Sequence, residues 1–386
     1  DIKVIDPACG SGHFLLAAAR RLAVALSQVR AGDDQPSEND RQHALRDVVA
    51  NCIYAVDKNP MAVELCKVAL WIEAIDPGKP LNFLDAHIQC GDSLVGVFDP
   101  KVLEEGIPDE AYQPMTGDDK TVCSSLKRDN SSARKINSCK GSNRGIQGSL
   151  DLSGDKPRSR SQEALQTIDA MPETTLAETA AKQVAYTSWL AQGGQDPDAL
   201  AANLFTAAFF LAKSSWSRAT VPTTEHLLKL LAGQPVDEAI EKAVAKVTQD
   251  VRFFHWHLRF GDVMARGGFD CVLGNPPWES MSPNPKEWFA SYDPSIKLVA
   301  PNLQADIRDR LLQSPQIKHE WEEHCQYLYK CTSFIKHSSR YKLFAPGNLG
   351  KGDFNLYRCF VEICLQMCSG RGGASMVVPE SLYNGG

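Results

Sequence analysis

Asn275-Pro276-Pro277-Trp278 sets an amide, a carbonyl constrained by adjacent prolines and an indole at the end of the strand-like run FDCVLGN. Such a set can grip a planar base. The Asn275 amide oxygen and the Pro276 carbonyl can accept the two hydrogens of an exocyclic amine while Trp278 stacks on the ring. The nitrogen lone pair then faces outward, where positioning and electrostatics promote an in-line displacement without a covalent cysteine. A second chemical set opens the chain. In Asp6-Pro7-Ala8-Cys9-Gly10-Ser11-Gly12 the proline stiffens a strand exit, and Gly10 and Gly12 permit torsions or a close ligand approach that a side chain would obstruct. The loop is not GxGxxG, because Phe14 and Leu15 stand where a third glycine would fall, and no G-K-[ST] follows to make a Walker loop.

A loop without a phosphate-binding lysine suits a nucleoside better than a polyphosphate. Asp57, at the next strand end, is placed to accept from ribose hydroxyls. Asp92, after a third strand, is placed to accept from an adenine amino group, and Asp6 lies near a cationic or amino-acid portion of the ligand.

The elements that must position these residues follow from the pattern around them. Lys3 to Asp6 reads as a strand and Phe14 to about Val29 as a helix; HALRDVVANC is helical, IYAVD is a strand ending at Asp57, and Pro60 starts the helix MAVELCKVALWIEA. LDAHIQCGDSL supplies the third strand. The separations of Asp6, Asp57 and Asp92 fit parallel strands joined by helical crossovers, with three carboxylates meeting at the edge where open α/β sheets bind ligands.

Residues 1–98 therefore read as the first part of an α/β domain, and residues 99–251 as an insertion. Within the insertion, 118–160 carries ten Lys/Arg against five Asp/Glu and almost no aromatic residues. That composition suggests a mobile or solvated loop, with phosphate contact as its alternative use. Helices are expected around 173–192, 197–213 and 223–250. The α/β pattern resumes over 252–386, with an internal helical insertion at 279–345, a helix in DFNLYRCFVEICLQMC and a final strand in GGASMVVPE. About two strands of the sheet are left unaccounted for. Phe354 to Tyr357 are candidate pocket aromatics, with core packing the alternative. His255 and His257 read as half-buried strand residues rather than metal ligands, and Cys325, Cys331, Cys359, Cys364 and Cys368 as packing positions on helices; no metal site is expected.

Composition bounds the remaining classes. The 386 residues allow two or three domains, or one enlarged by insertions, and 43% hydrophobic with 23% charged residues is an ordinary globular balance. No apolar run is long enough to span a bilayer, so no membrane role is expected. Twelve cysteines without a C-x-x-C pair or secretion signal point to a reducing, cytoplasmic compartment. The net charge of -6 removes a chain basic throughout but not a local basic surface. Opening at Asp1 and closing in NGG, the chain reads as a fragment lacking both natural ends.

DPACGSGHF, YAVDKNPMAVELCKVALW and CGDSL resemble the successive cofactor motifs of the amino-methylating DNA methyltransferases. The resemblance implies a Rossmann-like α/β methyltransferase sheet with large, mainly helical insertions, incomplete at the termini, and S-adenosyl-L-methionine as cofactor. It implies that Asp6, Ala8, Gly10 and Gly12 surround the methionine end, that Asp57 takes the ribose hydroxyls, that Asp92 reads the adenine amino group and that Phe14 supports the loop. N-P-P before an aromatic resembles the catalytic motif of adenine N6 enzymes, whereas cytosine N4 enzymes more often carry serine first, so adenine is favoured over cytosine. The motif order, with GDFNLYRCFVEICLQ, GGASMVVPESLY and SSRYKLF, resembles Eco57I-like methylases and bacterial phage-defence methylases over about 1–98 and 252–386. The expected partners are double-stranded DNA, with a flipped target base, and defence-system proteins. An upstream cofactor-closing segment, a target-recognition domain and a nuclease motif are not seen. The alternatives are a methyltransferase acting on RNA or on a protein amide, and a non-catalytic DNA-binding subunit of a defence complex.

Overall fold

The computed structural model describes residues 2–144, 160–192, 196–343 and 355–384. Among them five strands form one wholly parallel sheet: β1 (Val4–Asp6), β2 (Ile53–Asp57), β3 (Ile88–Cys90), β4 (Phe269–Gly274) and β5 (Cys368–Met376). Their spatial order is β3-β2-β1-β4-β5. The chain runs outward from β1 to β3 and then returns to the other flank of β1 with β4. The crevice between the carboxyl ends of β1 and β4 is the switch point at which open α/β sheets hold ligands.

Strand periodicity decides which face each side chain covers. Val4, Ile53 and Ala55 enter one core with Leu15, Ala19, Val48, Val63 and Leu70. Ile5, Tyr54 and Val56, the alternate residues, enter a second core with Phe205, Phe209 and Phe334. Helices α1 (His13–Ala31), α2 (Glu38–Asn51) and α3 (Pro60–Glu73) cover the first face. Their starts are encoded locally: α2 by the Ser37/Asp40 capping box, and α3 by Asn59, whose side chain accepts from Met61 N–H, with Pro60 in its first turn.

The helical insertion covers the second face: α4 (Lys120–Arg144), α5 (Arg160–Asp169), α6 (Leu176–Gln192), α7 (Pro197–Phe210), α8 (Thr224–Leu231) and α9 (Glu238–Val251). In α7 every residue from Leu204 to Phe210 is buried, as befits a helix apolar on all sides. Two sequence expectations change here. The basic stretch is not a loop over its first part, because Lys120–Arg144 is helical; buried Asn130 bonds Ile107 O and the side chains of Asp109 and Thr224, anchoring the helix through polar contacts that hydrophobic patterning does not register. Its remainder, 145–159, lies outside the described residues. The helix expected over 223–250 is broken by Gly233 and Pro235 into α8 and α9.

Next come α10 (Trp256–Arg259) and α11 (Gly261–Ala265), so His255 and His257 lie at the start of a short helix and not in a strand. After β4 follow α12 (Pro285–Phe289), α13 (Pro301–Leu311) and α14 (Pro315–His337), then α15 (Leu356–Met367) and α16 (Ser381–Asn384). The last strand begins at Cys368 rather than Gly372 and ends at Met376. Phe354 lies outside the described residues; Tyr357 is buried, its hydroxyl 3.0 Å from Ser381 Oγ.

Candidate active site

Asp6 leaves β1 with its side chain almost fully buried, 1% exposed, and its Oδ1 accepts the Ala8 N–H at 2.9 Å. Burial pushes its carboxyl up to about 7; the Ala8 bond works against that shift and the nearby Asp57 charge adds to it. The loop beyond is tied to β2, for Cys9 N–H donates to Val56 O and Gly10 N–H to Asp57 Oδ2 at 2.9 Å. Asp57 Oδ1 takes the Asn59 N–H at 2.8 Å.

The two loop glycines do different work. Both have positive φ, but a Cβ on Gly10 would meet nothing within 4 Å, while one on Gly12 would sit 2.6 Å from Cys66 Sγ on α3. Gly10 presents bare backbone to open space, and Gly12 lets α1 start against α3. Phe14, in the first turn of α1, is half-exposed.

Asp92 stands beyond β3, its Oδ1 accepting Leu94 N–H at 3.0 Å. Its other oxygen is already engaged, 2.9 Å from Lys58 Nζ and 2.9 Å from the Tyr327 hydroxyl of α14. Lys58 also bonds that hydroxyl and lies 4.0 Å from the Tyr327 ring centroid. Burial, followed by the Asp92 charge, pushes the Tyr327 phenol far above its ordinary range. The same loop is fastened elsewhere: Ser93 Oγ donates to Pro7 O at 2.6 Å, and Trp256 Nε1 and Arg340 both donate to Ser93 O.

His255 explains itself structurally. Its Nδ1 accepts the Val97 N–H at 3.0 Å, so its Nε2 must carry the proton donated to Asn203 Oδ1 at 2.9 Å. Burial holds this imidazole neutral, well below the usual histidine range. No group of three His, Cys, Asp or Glu suited to a metal ion occurs among the described residues.

The β1–β4 pairing brings the second motif to the first. A Cβ on Gly274, the last residue of β4, would sit 2.5 Å from Asp6 Oδ1, so the bare Gly274 makes room for that carboxylate. Asn275 follows at once, exposed, with no hydrogen-bond partner for its side chain among the described residues. Pro276 is buried and Pro277 exposed. Trp278 is 49% exposed rather than packed in the core, with Nε1 3.4 Å from Val377 O beyond β5.

Gly274, Lys58, Ser93 and Tyr327 are site residues that sequence reasoning did not single out. Gly274 and Lys58 adjoin named motifs, and a glycine inside a strand marks close approach. Tyr327 comes from a distant helix and carries no local signal.

No helix among the described residues is long and apolar enough to cross a membrane. Residues 51–302 match the model of the Eco57I restriction-modification methylase family. RM.MjaORFECS2P of Methanocaldococcus jannaschii, by its name a type II restriction enzyme and methyltransferase, is 24% identical in an alignment 312 residues long that covers 74% of this chain and 23% of that protein. The adenine-specific methyltransferase PglX of Streptomyces coelicolor is 34% identical over 102 residues, 25% of this chain and 8% of PglX. The chain thus spans less than a quarter of the length of either relative. No solved structure matches it. With the family match covering more than half of its length, and the parallel sheet bringing the loop after β1 beside that after β4, this chain belongs to the Eco57I restriction-modification methylase family.

Proposed function

We propose that the chain forms the core of a site-specific DNA adenine-N6 methyltransferase, cytoplasmic and serving restriction-modification or phage defence. The observation that carries this reading is Gly274 against Asp6, which sets Asn275 beside the loop of Asp6 and Gly10. The names of the two relatives support it.

The residues present fit S-adenosyl-L-methionine over most of its length. A buried carboxylate, Asp6, without an ion-pair partner among the described residues suits its cationic end, and open backbone at Gly10 leaves room for it. Bound there, the cofactor supplies an activated methyl group. Asp6 and Ala8 would hold the methionine end and Asp57 the ribose, while Gly12 and Phe14 set the first turn of α1. Asp92 would meet the adenine amino group by exchanging one of its present partners, Lys58 or Tyr327. On the acceptor side Asn275 and the Pro276 carbonyl orient the target amine, Pro277 stiffens the turn, and exposed Trp278 stacks on a base flipped out of double-stranded DNA. Residues 1–98 and 252–386 make up this unit, with 99–251 and 279–345 inserted into it, and further defence proteins as partners of the whole.

The test is methyl transfer from labelled cofactor by the full-length parent, followed by nucleoside analysis of DNA, RNA and protein. Label should enter N6-methyladenine in DNA. Asn275→Ala should lower the rate about 100-fold or more, the scale of losing a positioned polar group in a transition state. Near-normal transfer by that variant would sink the role of Asn275, and label in cytosine, RNA or protein would reject the substrate.

A further inference from the structure

Between the helical insertion and the second half of the sheet, residues 252–257 cross the loop that carries Asp92 and are fastened to it. Asp92 N–H donates to Arg252 O at 2.8 Å and Phe254 N–H to Val95 O at 2.9 Å, and Asp92 pairs with Phe253 as one parallel rung beyond β3. The crossing is close, because a Cβ on Gly91 or Gly96 would run into Phe254. His255 and Trp256 add their bonds to Val97 and Ser93.

Arg252 opens this crossing with a strained backbone. It caps α9 at φ 62° and ψ 57°, in the left-handed region, and its N–H donates to Thr248 O at 2.8 Å. Arg252 and Ser339 are the two non-glycine residues with positive φ among the described residues. Such strain persists only where the surroundings impose it, and it gathers at functional sites. Glycine takes this cap position without steric cost, so helix termination alone would favour glycine there. What arginine adds is its side chain. Arg252 Nη1 donates to Lys58 O at 2.6 Å, a carbonyl that also accepts from Cys90 Sγ at 3.6 Å. Lys58 directly follows Asp57. One residue thus holds the turn after Asp57 with its guanidinium and the backbone of Asp92 with its carbonyl.

We propose that Arg252 is a positioning residue of the cofactor site, fixing the spacing of Asp57 and Asp92 and with it the preference for an adenine nucleoside. The inference rests on the reading in which Asp57 takes the ribose hydroxyls and Asp92 the adenine amine. Those groups keep a narrow range of separations within one nucleoside, so two carboxylates engage both at least cost when their own spacing is set beforehand. The β2–β3 ladder ends with Gly91 N–H on Asp57 O at 2.9 Å; Lys58 and Asp92 lie past that last rung, where Arg252 takes over. Lys58 Nζ and the Tyr327 hydroxyl also reach Asp92, but one of them must give way to the amine. The Arg252 bonds engage main-chain groups only and stay in place.

Calorimetric titration of the full chain with S-adenosyl-L-homocysteine and with its purine analogue, which lacks the amine, tests this. The ratio of the two affinities measures amine recognition. Arg252→Gly should hold or raise the thermal midpoint, since glycine relieves the strained backbone, yet weaken S-adenosyl-L-homocysteine about fivefold or more and lower the ratio about threefold or more, the scale of one hydrogen bond. Arg252→Lys, which keeps a cationic donor, should recover part of the ratio. Asp92→Ala should abolish the ratio, and Arg252→Gly added to it should change the ratio no further, as coupled residues behave. If Asp92→Ala abolishes the ratio while Arg252→Gly leaves it as in the wild type, Arg252 is a helix cap alone and the proposal is overturned. If Asp92→Ala itself leaves the ratio unchanged, the adenine reading of Asp92 fails and the proposal falls with it.

Discussion

Asp6 and Tyr327 are the residues whose chemistry is easiest to interrogate. With its carboxyl pushed up to about 7 by burial, Asp6 is largely protonated below that pH, whereas a cationic ligand favours its ionised form. Binding of such a ligand must therefore release a proton below about pH 7. Apparent affinity should rise with pH, by at most about tenfold per unit, and level off above the folded pKa. Calorimetry in buffers of different ionisation enthalpy measures the released proton; Asp6→Asn should remove it, and an unchanged proton count in that variant would show that another group titrates. Tyr327→Phe frees one oxygen of Asp92 from a hydroxyl. Adenosine ligands should then bind about 3- to 10-fold more tightly, the scale of one net hydrogen bond, while purine riboside, which lacks the amine, should not change. Equal effects on both ligands would mean that the ring, not the hydroxyl, matters. Asp6, Asp57 and Asn275 were legible because strand ends announce themselves in sequence. Tyr327 was not, since only the packing of α14 brings it to Asp92.

At the scale of elements, the glycine loop and the helix after it separate ligand approach from packing. Gly10 and Gly12 both have positive φ, so an alanine strains either by about 1–3 kcal/mol. Only at Gly12 does the new methyl also run into Cys66. Gly12→Ala should lower the thermal midpoint clearly more than Gly10→Ala, whereas Gly10→Ala should cost relatively more cofactor affinity. Equal losses of stability would show that α1 can shift away from α3. The sequence placed a glycine loop between strand and helix, as the structure has it, but could not apportion its glycines. It also misread Lys120–Arg144, because polar composition resembles a solvated loop when the helix is held by Asn130 and its buried partners.

The whole molecule balances opposed titrations. His257 is held down at about 4 by burial and His255 also lies well below the usual range, so the unfolded chain takes up protons first as pH falls below 6.5. Their contribution is intact above about pH 6.5 and is lost on acidification, for His257 down to about pH 4. Asp6 has the opposite sign: its raised pKa makes the folded state bind the extra proton, so stability falls as pH rises from about 4 to 7. The two effects partly cancel in the wild type. Asp6→Asn should therefore destabilise more steeply on acidification from pH 6.5 to 4.5 than the wild type, measured as the thermal midpoint against pH. Parallel curves would rule out Asp6 as the compensating group.

What the sequence determined by itself was local: strand ends carrying Asp6, Asp57 and Asp92, a glycine loop that opens a helix, and the grouping of an amide with an indole at Asn275 and Trp278. Each depends on residues a few positions apart, whose torsions and alternation are set by short-range sterics. The tertiary structure alone decided that β4 lies beside β1, so that Gly274 yields space to Asp6 and the two motifs share one crevice. It alone decided that Tyr327 closes on Asp92 and that buried Arg340 clamps the carbonyls of Ser93 and Gly96 in the same loop. Such contacts join residues far apart in the chain, and they form only when the sheet order and the packing of the insertions are fixed together by burial of the common core.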